Sequence, residues 1–248
     1  MKTILIILLL IGISFMGINC MYAQTKIADM ITFPSLDGLT ITADLYHISD
    51  DAPTILLCHQ ARYSRGEYIE MAIRLGKMGY NCLAIDQRSG DKVNNVINET
   101  AKRARDKGLP GEYIDALPDI EAALKYIAGR YNQKIILVGS SYSASLVLKI
   151  ASESDDVRAI IAFSPGEYFG SEISIKESIK GMTIPVFVTS SKSESAELTK
   201  LVDELDSNVV THFIPTSSGD HGSKVLWSSE RHNVEYWDAL TSFLEKIH

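Results

Sequence analysis

Six short, almost continuously apolar runs are the feature of this sequence that most constrains its fold. They are TILLCH, NCLAID, KIILVG, VRAIIAFS, IPVFVTS and VVTHFIP, at positions 54–59, 81–86, 134–139, 157–164, 184–190 and 209–215. Strands without polar alternation are buried on both faces, which is typical of a parallel sheet covered by helices. Helical spacing of apolar residues elsewhere agrees with this. One such face has Leu117, Ile120, Leu124 and Ile127, and another has Val234, Trp237, Leu240, Leu244 and Ile247.

The segment 28–47 differs from these runs, because its apolar and polar residues alternate on both sides of Asp37-Gly38. Such alternation predicts an antiparallel hairpin. The expected fold class is therefore α/β: a mostly parallel, doubly wound sheet of about eight strands that begins with this hairpin. The stretch 165–183 is too short for a large cap domain. The polar segment 91–108 is expected to shape a pocket entrance or form a small lid.

The N-terminus has the pattern of a secretory signal peptide: Lys2, an apolar run at 4–18 and a small residue at Ala23. We expect a signal peptide at 1–23 and one α/β domain at 24–248. The run is shorter than the roughly 20 residues of a membrane-spanning helix, so an uncleaved anchor is the less favoured alternative. Lipid anchoring at Cys20 is also less favoured. The prediction is an exported protein, periplasmic or secreted, with membrane contact only through this segment or a lipid anchor.

Composition excludes several classes of function. The net charge is −7 and no basic block occurs, so nucleic acid is not an expected partner. Neither a metal-ligand spacing of Cys and His nor a G-x-G-x-x-G motif is found, and no metal or other cofactor is expected. Cys58 and Cys82 lie in apolar runs and are predicted to be buried free thiols rather than a disulfide.

Candidate catalytic residues follow the predicted strands, at the edge of the sheet where chemistry gathers in open parallel sheets. Ser141 follows the third run, Glu167 the fourth, Glu194 the fifth and His221 the sixth. The sequence Gly139-Ser140-Ser141-Tyr142-Ser143 resembles the G-x-S-x-G nucleophile elbow, with Ser143 in place of the last glycine. The position of Ser141 at the centre of this motif makes it the candidate nucleophile.

With these residues the chain resembles the α/β-hydrolase superfamily, and within it the dienelactone-hydrolase-like serine esterases, from the first hairpin to the final helix. The resemblance implies a catalytic triad in the order Ser141, Glu194, His221. Glu194 stands nine residues after Pro185, where the family commonly has an aspartate. Glu167 is the alternative acid.

The same resemblance implies further roles around the triad. His59-Gln60 is similar to the family's His-Gly turn, so the backbone N–H groups of Gln60 or Ala61, together with that of Tyr142, are the expected oxyanion donors. His59 itself is interpreted as structural, and so is the loop 86–90, which resembles a D-x-R-x-G motif. Three arginines near the expected mouth are candidates for holding a substrate carboxylate, although surface ion pairs are the favoured interpretation: Arg62, Arg65 and Arg88.

These features predict an exported serine hydrolase that cleaves a small-molecule carboxylic ester or lactone through an acyl-enzyme. A peptidase or a thioesterase would use the same triad, and both stay open as alternatives. A non-catalytic α/β-hydrolase scaffold that binds a ligand is the third alternative. It is favoured by the two departures from the family pattern, at Ser143 and Glu194.

Overall fold

The computed structural model of this chain describes residues 28–247. The predicted signal peptide and Cys20 lie outside the described residues. Within the described range there are ten strands: β1 (Asp29–Pro34), β2 (Thr40–Tyr46), β3 (Thr54–Cys58), β4 (Asn81–Ile85), β5 (Lys92–Val93), β6 (Val96–Ile97), β7 (Ile135–Ser140), β8 (Val157–Phe163), β9 (Val186–Thr189) and β10 (Val210–Phe213).

Seven α-helices are found in the same range: α1 (Ile69–Lys77), α2 (Glu99–Asp106), α3 (Leu117–Tyr131), α4 (Tyr142–Ala151), α5 (Ile175–Ser178), α6 (Ser195–Val202) and α7 (Asn233–Ile247). Short 3₁₀-helices occur at Arg65–Tyr68, Ile114–Ala116 and Ser223–Leu226. None of the helices described between residues 28 and 247 is both long enough and apolar enough to cross a bilayer.

Eight of the strands form one sheet in the order β1-β2-β4-β3-β7-β8-β9-β10. The hairpin β1–β2 is antiparallel and joins β4 in antiparallel fashion, whereas all later pairs are parallel. The predicted fold class is therefore confirmed. From β3 the chain moves to one side to form β4 and later returns on the other side as β7. The crevice between the ends of β3 and β7 is thus a topological switch point, where open α/β sheets bind ligands.

The core has two layers because neighbouring residues of each buried strand point to opposite faces of the sheet. In β7, Leu137 belongs to the core layer that includes side chains of α3, α4 and α6, and Val138 belongs to the layer that includes side chains of α1 and α7. The prediction for α7 was wrong at one residue. Val234 is 65% exposed because it lies in the helix's first turn, while Tyr236 and Phe243 contribute to the buried face instead.

The two segments that could form a lid or a cap over the sheet, 91–108 and 165–183, are both small. Segment 91–108 forms the hairpin β5–β6 and helix α2, and α2 is fastened to β2 by a hydrogen bond from the Thr42 N–H to Thr100 Oγ1 (3.0 Å). Stretch 165–183 contains one short helix, α5, which confirms that no large cap is present in the described chain. Cys58 and Cys82 are buried free thiols, as predicted, and burial raises the pKa of both.

A buried ion pair fastens the first hairpin to the helical layer. The Arg88 guanidinium donates to both carboxylate oxygens of Asp119, at 3.0 Å from Nε and 2.7 Å from Nη2. Its third nitrogen, Nη1, reaches Asp37 Oδ2 at 2.7 Å and lowers the pKa of Asp37 to about 2. Because Arg88 and Asp119 are both buried, removal of Arg88 leaves the Asp119 carboxylate without its cation, and removal of Asp119 leaves the Arg88 guanidinium with only the exposed Asp37 as a charged partner.

We therefore expect Asp119→Ala to lower the free energy of unfolding by about 3–5 kcal/mol, the usual cost of breaking a buried pair from one side. Urea denaturation followed by circular dichroism measures this change. Glu121→Ala, two positions along the same helix, is the control and should stay within about 0.5 kcal/mol of the wild type. Equal stability of the two variants would contradict the assigned role of the ion pair.

Candidate active site

Ser141 stands on a sharp turn between β7 and α4. Its backbone has φ of 59° and ψ of −125°, a conformation that non-glycine residues rarely adopt. The Ser141 N–H donates to the Phe163 carbonyl (2.8 Å), and the Ser141 carbonyl accepts from the Ala144 N–H (2.9 Å). A Cβ at Gly139 would lie 2.5 Å from the Ala144 Cα, so only glycine allows this close approach of strand and helix. This is the geometry of a nucleophile elbow.

Ser143, the departure from the elbow motif, is accommodated by hydrogen bonds. Its buried hydroxyl donates to the His59 carbonyl (2.6 Å) and accepts from Gln87 Nε2 (2.5 Å). The serine therefore links the start of α4 to the turn after β3 and to the loop after β4. A glycine here would leave both partners without this contact.

The three residues of the predicted triad lie in hydrogen-bond contact. His221 Nε2 is 2.8 Å from Ser141 Oγ, and His221 Nδ1 is 2.5 Å from Glu194 Oε1. The first distance is within the usual range of hydrogen bonds, and the second is shorter than that range. Each residue follows a different strand of the sheet: β7, β9 and β10. The arrangement is the serine–imidazole–carboxylate sequence that nucleophilic acyl transfer requires.

Glu194 is fixed by more than the histidine. Its second oxygen, Oε2, accepts from the Ser164 hydroxyl (2.9 Å) and from the Ser191 N–H (3.1 Å). Burial alone would raise the pKa of Glu194, but the hydrogen bond and charge of His221 outweigh it and lower that pKa to about 2. The same hydrogen bond raises the pKa of His221 above its ordinary value of 6.5. Glu194 is thus a charged acceptor that favours the imidazolium.

Glu167, the alternative acid, lies elsewhere. Its carboxylate accepts from the backbone N–H groups of Ile175 (2.8 Å) and Lys176 (2.9 Å), at the start of α5. It therefore satisfies donors of a helix N-terminus, which have no partner within the helix. The structure brings Glu194, and not Glu167, to the imidazole of His221.

Ser164 is a site residue that sequence reasoning missed. Its hydroxyl donates to Glu194 and accepts from the Gly222 N–H (3.0 Å), so it joins the loop carrying the acid to the loop carrying the histidine. Its φ of 52° places it in a strained turn directly after β8. The only signal in the sequence was its position at a strand end, before Pro165.

The predicted oxyanion donors do not all fit the structure. Tyr142 is the first residue of α4, and N–H groups in a first helical turn have no intrahelical acceptor. The Gln60 N–H, in contrast, already donates to a buried carboxylate, Glu67 Oε2, at 2.7 Å. Of the two residues proposed for the second donor, Gln60 is therefore occupied and Ala61 is the candidate.

His59 has the structural role that was predicted for it. It is fully buried, its Nδ1 lies 2.8 Å from the Gln60 carbonyl oxygen, and its Nε2 accepts from the Gln87 N–H at 3.1 Å. Burial lowers its pKa to about 4, so the imidazole is neutral at physiological pH. It supports the turn that contains Gln60 and Ala61.

Two of the three arginines suggested for a substrate carboxylate are committed elsewhere. Arg65 is paired with Asp86 (2.7 Å) and Asp44 (3.0 Å), and Arg88 with Asp119 and Asp37. Both guanidinium groups are buried in these networks, so the suggestion fails for them. Arg62 is exposed and is the one of the three that stays accessible to solvent.

Two tyrosines beside the nucleophile were also missed from sequence. Tyr168 donates to the Ser164 carbonyl (2.9 Å), and it is near enough to Ser141 for the serine hydroxyl to affect the pKa of Tyr168. The Tyr113 ring stacks on the Tyr142 ring at 4.7 Å. Both are partly exposed, so a substrate that reaches Ser141 meets aromatic surface. Among residues 28–247, no group of His, Cys, Asp and Glu side chains is arranged to hold a metal ion.

The contact between Glu194 and His221 gives a titration that tests the identity of the acid. We expect the His221 imidazole to titrate above pH 6.5, because the carboxylate favours its protonated form. Glu194→Gln removes that charge and should lower the pKa of His221. Glu167→Gln is the matched control and should leave it unchanged. NMR titration of the imidazole signals measures both, and the opposite ranking would assign the acid to Glu167.

Comparison with known proteins gives structural relatives only. No family model matches the chain, and no curated protein matches it in sequence. Among solved structures, it is similar to an esterase of Pyrococcus furiosus (TM-score 0.66, 16% identity, 88% of this chain and 90% of that one). It is also similar to esterase 2 of Thermogutta terrifontis (TM-score 0.64, 14% identity, 90% of this chain and 95% of that one). A dienelactone hydrolase of Anabaena variabilis is similar too (TM-score 0.64, 15% identity, 88% of this chain and 96% of that one).

Identities this low establish a shared fold and leave the chemistry to the site itself. The structural similarity covers about nine-tenths of each relative. The order of strands in the sheet and the elbow between β7 and α4 are consistent with the same fold. The chain therefore has the α/β-hydrolase fold, as its sequence resemblance predicted.

Proposed function

We propose that this protein is an exported serine hydrolase that cleaves a small-molecule carboxylic ester or lactone through an acyl-enzyme on Ser141. The observation that carries the proposal is the continuous hydrogen-bond chain from Ser141 through His221 to Glu194. It lies at the switch point of the sheet, on a strained turn that presents the serine hydroxyl.

In this mechanism His221 Nε2 takes the proton of Ser141 as the serine oxygen attacks the ester carbonyl carbon. The oxyanion that forms accepts hydrogen bonds from the N–H groups of Tyr142 and Ala61. The imidazolium then gives its proton to the leaving alcohol, and the acyl group stays on Ser141. Water, deprotonated by the same imidazole, releases the acid.

Glu194 acts on this cycle through the imidazole. Its charge stabilises the imidazolium and its hydrogen bond to Nδ1 keeps Nε2 directed at the serine. Because only the neutral imidazole accepts a proton, turnover should rise as pH rises through the raised pKa of His221.

The choice of an ester over other acyl substrates is supported by the relatives, which are named esterases and dienelactone hydrolases. A peptidase or thioesterase would use the same groups. A non-catalytic scaffold is less well supported. Ser143 makes two hydrogen bonds of its own, and Glu194 contacts His221 directly, so neither departure from the family pattern interrupts the chain.

We expect Ser141→Ala to lower kcat by a factor of about 10⁶, as loss of such a nucleophile does. Hydrolysis of p-nitrophenyl acetate measures this, and a fluorophosphonate probe should label the wild type and not the variant. Ser152→Ala is the control, since this exposed serine follows the far end of the same helix. Unchanged turnover in Ser141→Ala, or a folded wild type that the probe does not label, would contradict the proposal.

Export is proposed from Lys2, the apolar run at 4–18 and Ala23, all outside the described residues. When the full chain is produced in a bacterium, we expect the protein outside the cytoplasm with Gln24 as its first residue. Mass spectrometry of the fractionated protein measures this. A full-length product in the cytoplasm would contradict export. A lipid on Cys20 would show that the protein is a lipoprotein and is not cleaved after Ala23.

A further inference from the structure

Glu67 is a buried carboxylate that the proposed mechanism does not use. It belongs to the 3₁₀-helix Arg65–Tyr68 and is only 1% exposed. Burial raises its pKa to about 7. Within residues 28–247 it forms no ion pair, although Asp86 and Asp119, the other buried acids described above, are each paired with an arginine. A carboxylate buried without a cation is costly, so its surroundings should reveal what it does.

Both oxygens of Glu67 accept hydrogen bonds from loops of the proposed active site. Oε2 accepts from the Gln60 N–H at 2.7 Å, and Oε1 accepts from the Ser223 hydroxyl at 2.6 Å. Gln60 directly precedes Ala61, the candidate oxyanion donor. Ser223 follows His221 by two positions, so one carboxylate spans the oxyanion turn and the histidine loop.

A third contact joins the same network to the nucleophile. The Ser223 N–H donates to the Ser140 hydroxyl at 2.9 Å, and the Ser140 hydroxyl donates to Gln60 Oε1 at 3.4 Å. Ser140 is the residue immediately before Ser141. Between His221 and Ser223, Gly222 has φ of 77°, and a Cβ there would lie 2.7 Å from Ser140 Oγ. The loops are therefore packed too closely to shift independently.

We infer that Glu67 is a positioning residue that fixes the oxyanion turn relative to the nucleophile and the histidine. By holding the Gln60 N–H, it fixes the peptide between His59 and Gln60. This is the peptide before the one that carries the Ala61 N–H, so it restrains the turn that presents this N–H to the developing oxyanion. This inference rests on the proposed acyl transfer at Ser141. A donor has to be aimed at the place where charge develops, and a small misplacement removes much of its effect.

The conservative variant Glu67→Gln separates hydrogen bonding from charge. The amide oxygen can accept from the Gln60 N–H while the amide nitrogen donates to the Ser223 hydroxyl, which accepts as well as donates. Glu67→Ala removes both connections and leaves the Gln60 N–H without its acceptor. Positioning through hydrogen bonds therefore predicts that glutamine restores what alanine loses.

We expect Glu67→Ala to lower kcat for p-nitrophenyl acetate by about 10²-fold, near the cost of losing one oxyanion donor, while KM changes by less than about threefold. Affinity for phenylboronic acid, which forms a tetrahedral adduct on a nucleophilic serine, should fall by a similar factor. Glu67→Gln should stay within about tenfold of the wild type in kcat, because its side-chain amide can keep both hydrogen bonds. Glu70→Ala is the matched control, an exposed glutamate that holds the Ser228 N–H without touching the oxyanion turn.

If Glu67→Ala does not fold, as judged by circular dichroism, Ser223→Ala replaces it and should show a smaller loss in kcat with the same unchanged KM. An unchanged kcat in the folded variant, a loss confined to KM, or equal losses in Glu67→Ala and Glu67→Gln would overturn the inference. Those outcomes all require an active wild type. A wild type that neither hydrolyses esters nor reacts with a fluorophosphonate would instead refute the proposed function.

Discussion

The close crossing of β7 and α4 is the constraint on which the rest of the site depends. Ser141 adopts a backbone conformation that costs about 1–3 kcal/mol, and it persists only because its neighbours determine it from several sides. Phe163 and Ala144 hold its peptide groups, and the absence of a side chain at Gly139 lets the helix approach. The strand on one side is buried throughout, the helix on the other is buried except at Lys149, and together they supply the stabilisation that offsets this strain.

Much of this fold follows from the sequence, because each of the six apolar runs overlaps one observed strand. Buried strands leave a continuous signal, since water contacts neither face. The order of strands in the sheet has no such signal in periodicity, and it was not predicted from the sequence. The three residues of the hydrogen-bond chain could be predicted from the sequence for a similar reason. Each follows a strand, and the carboxyl ends of parallel strands lie at one edge of the sheet.

The supporting residues could not be found in this way. Whether an arginine is a free surface group or half of a buried ion pair depends on a carboxylate far away in the chain, as Arg88 and Asp119 illustrate. The serines that support the site cannot be recognised from the sequence either. A small polar residue in a loop gives the same sequence pattern whether its side chain faces water or hydrogen-bonds to a neighbouring residue. Ser164 and Ser140 acquire their roles only when three loops converge.

The two departures from the family pattern share a physical explanation. A glutamate has one more rotatable bond than an aspartate and needs additional restraint to present one oxygen to an imidazole. Glu194 has that restraint, because Ser164 and Ser191 hold Oε2 and leave Oε1 for His221. Ser143 likewise brings a side chain where glycine is usual, and its hydroxyl is used by two buried partners. A site that had lost its chemistry would have no need of such matched contacts, so the departures themselves favour a working hydrolase.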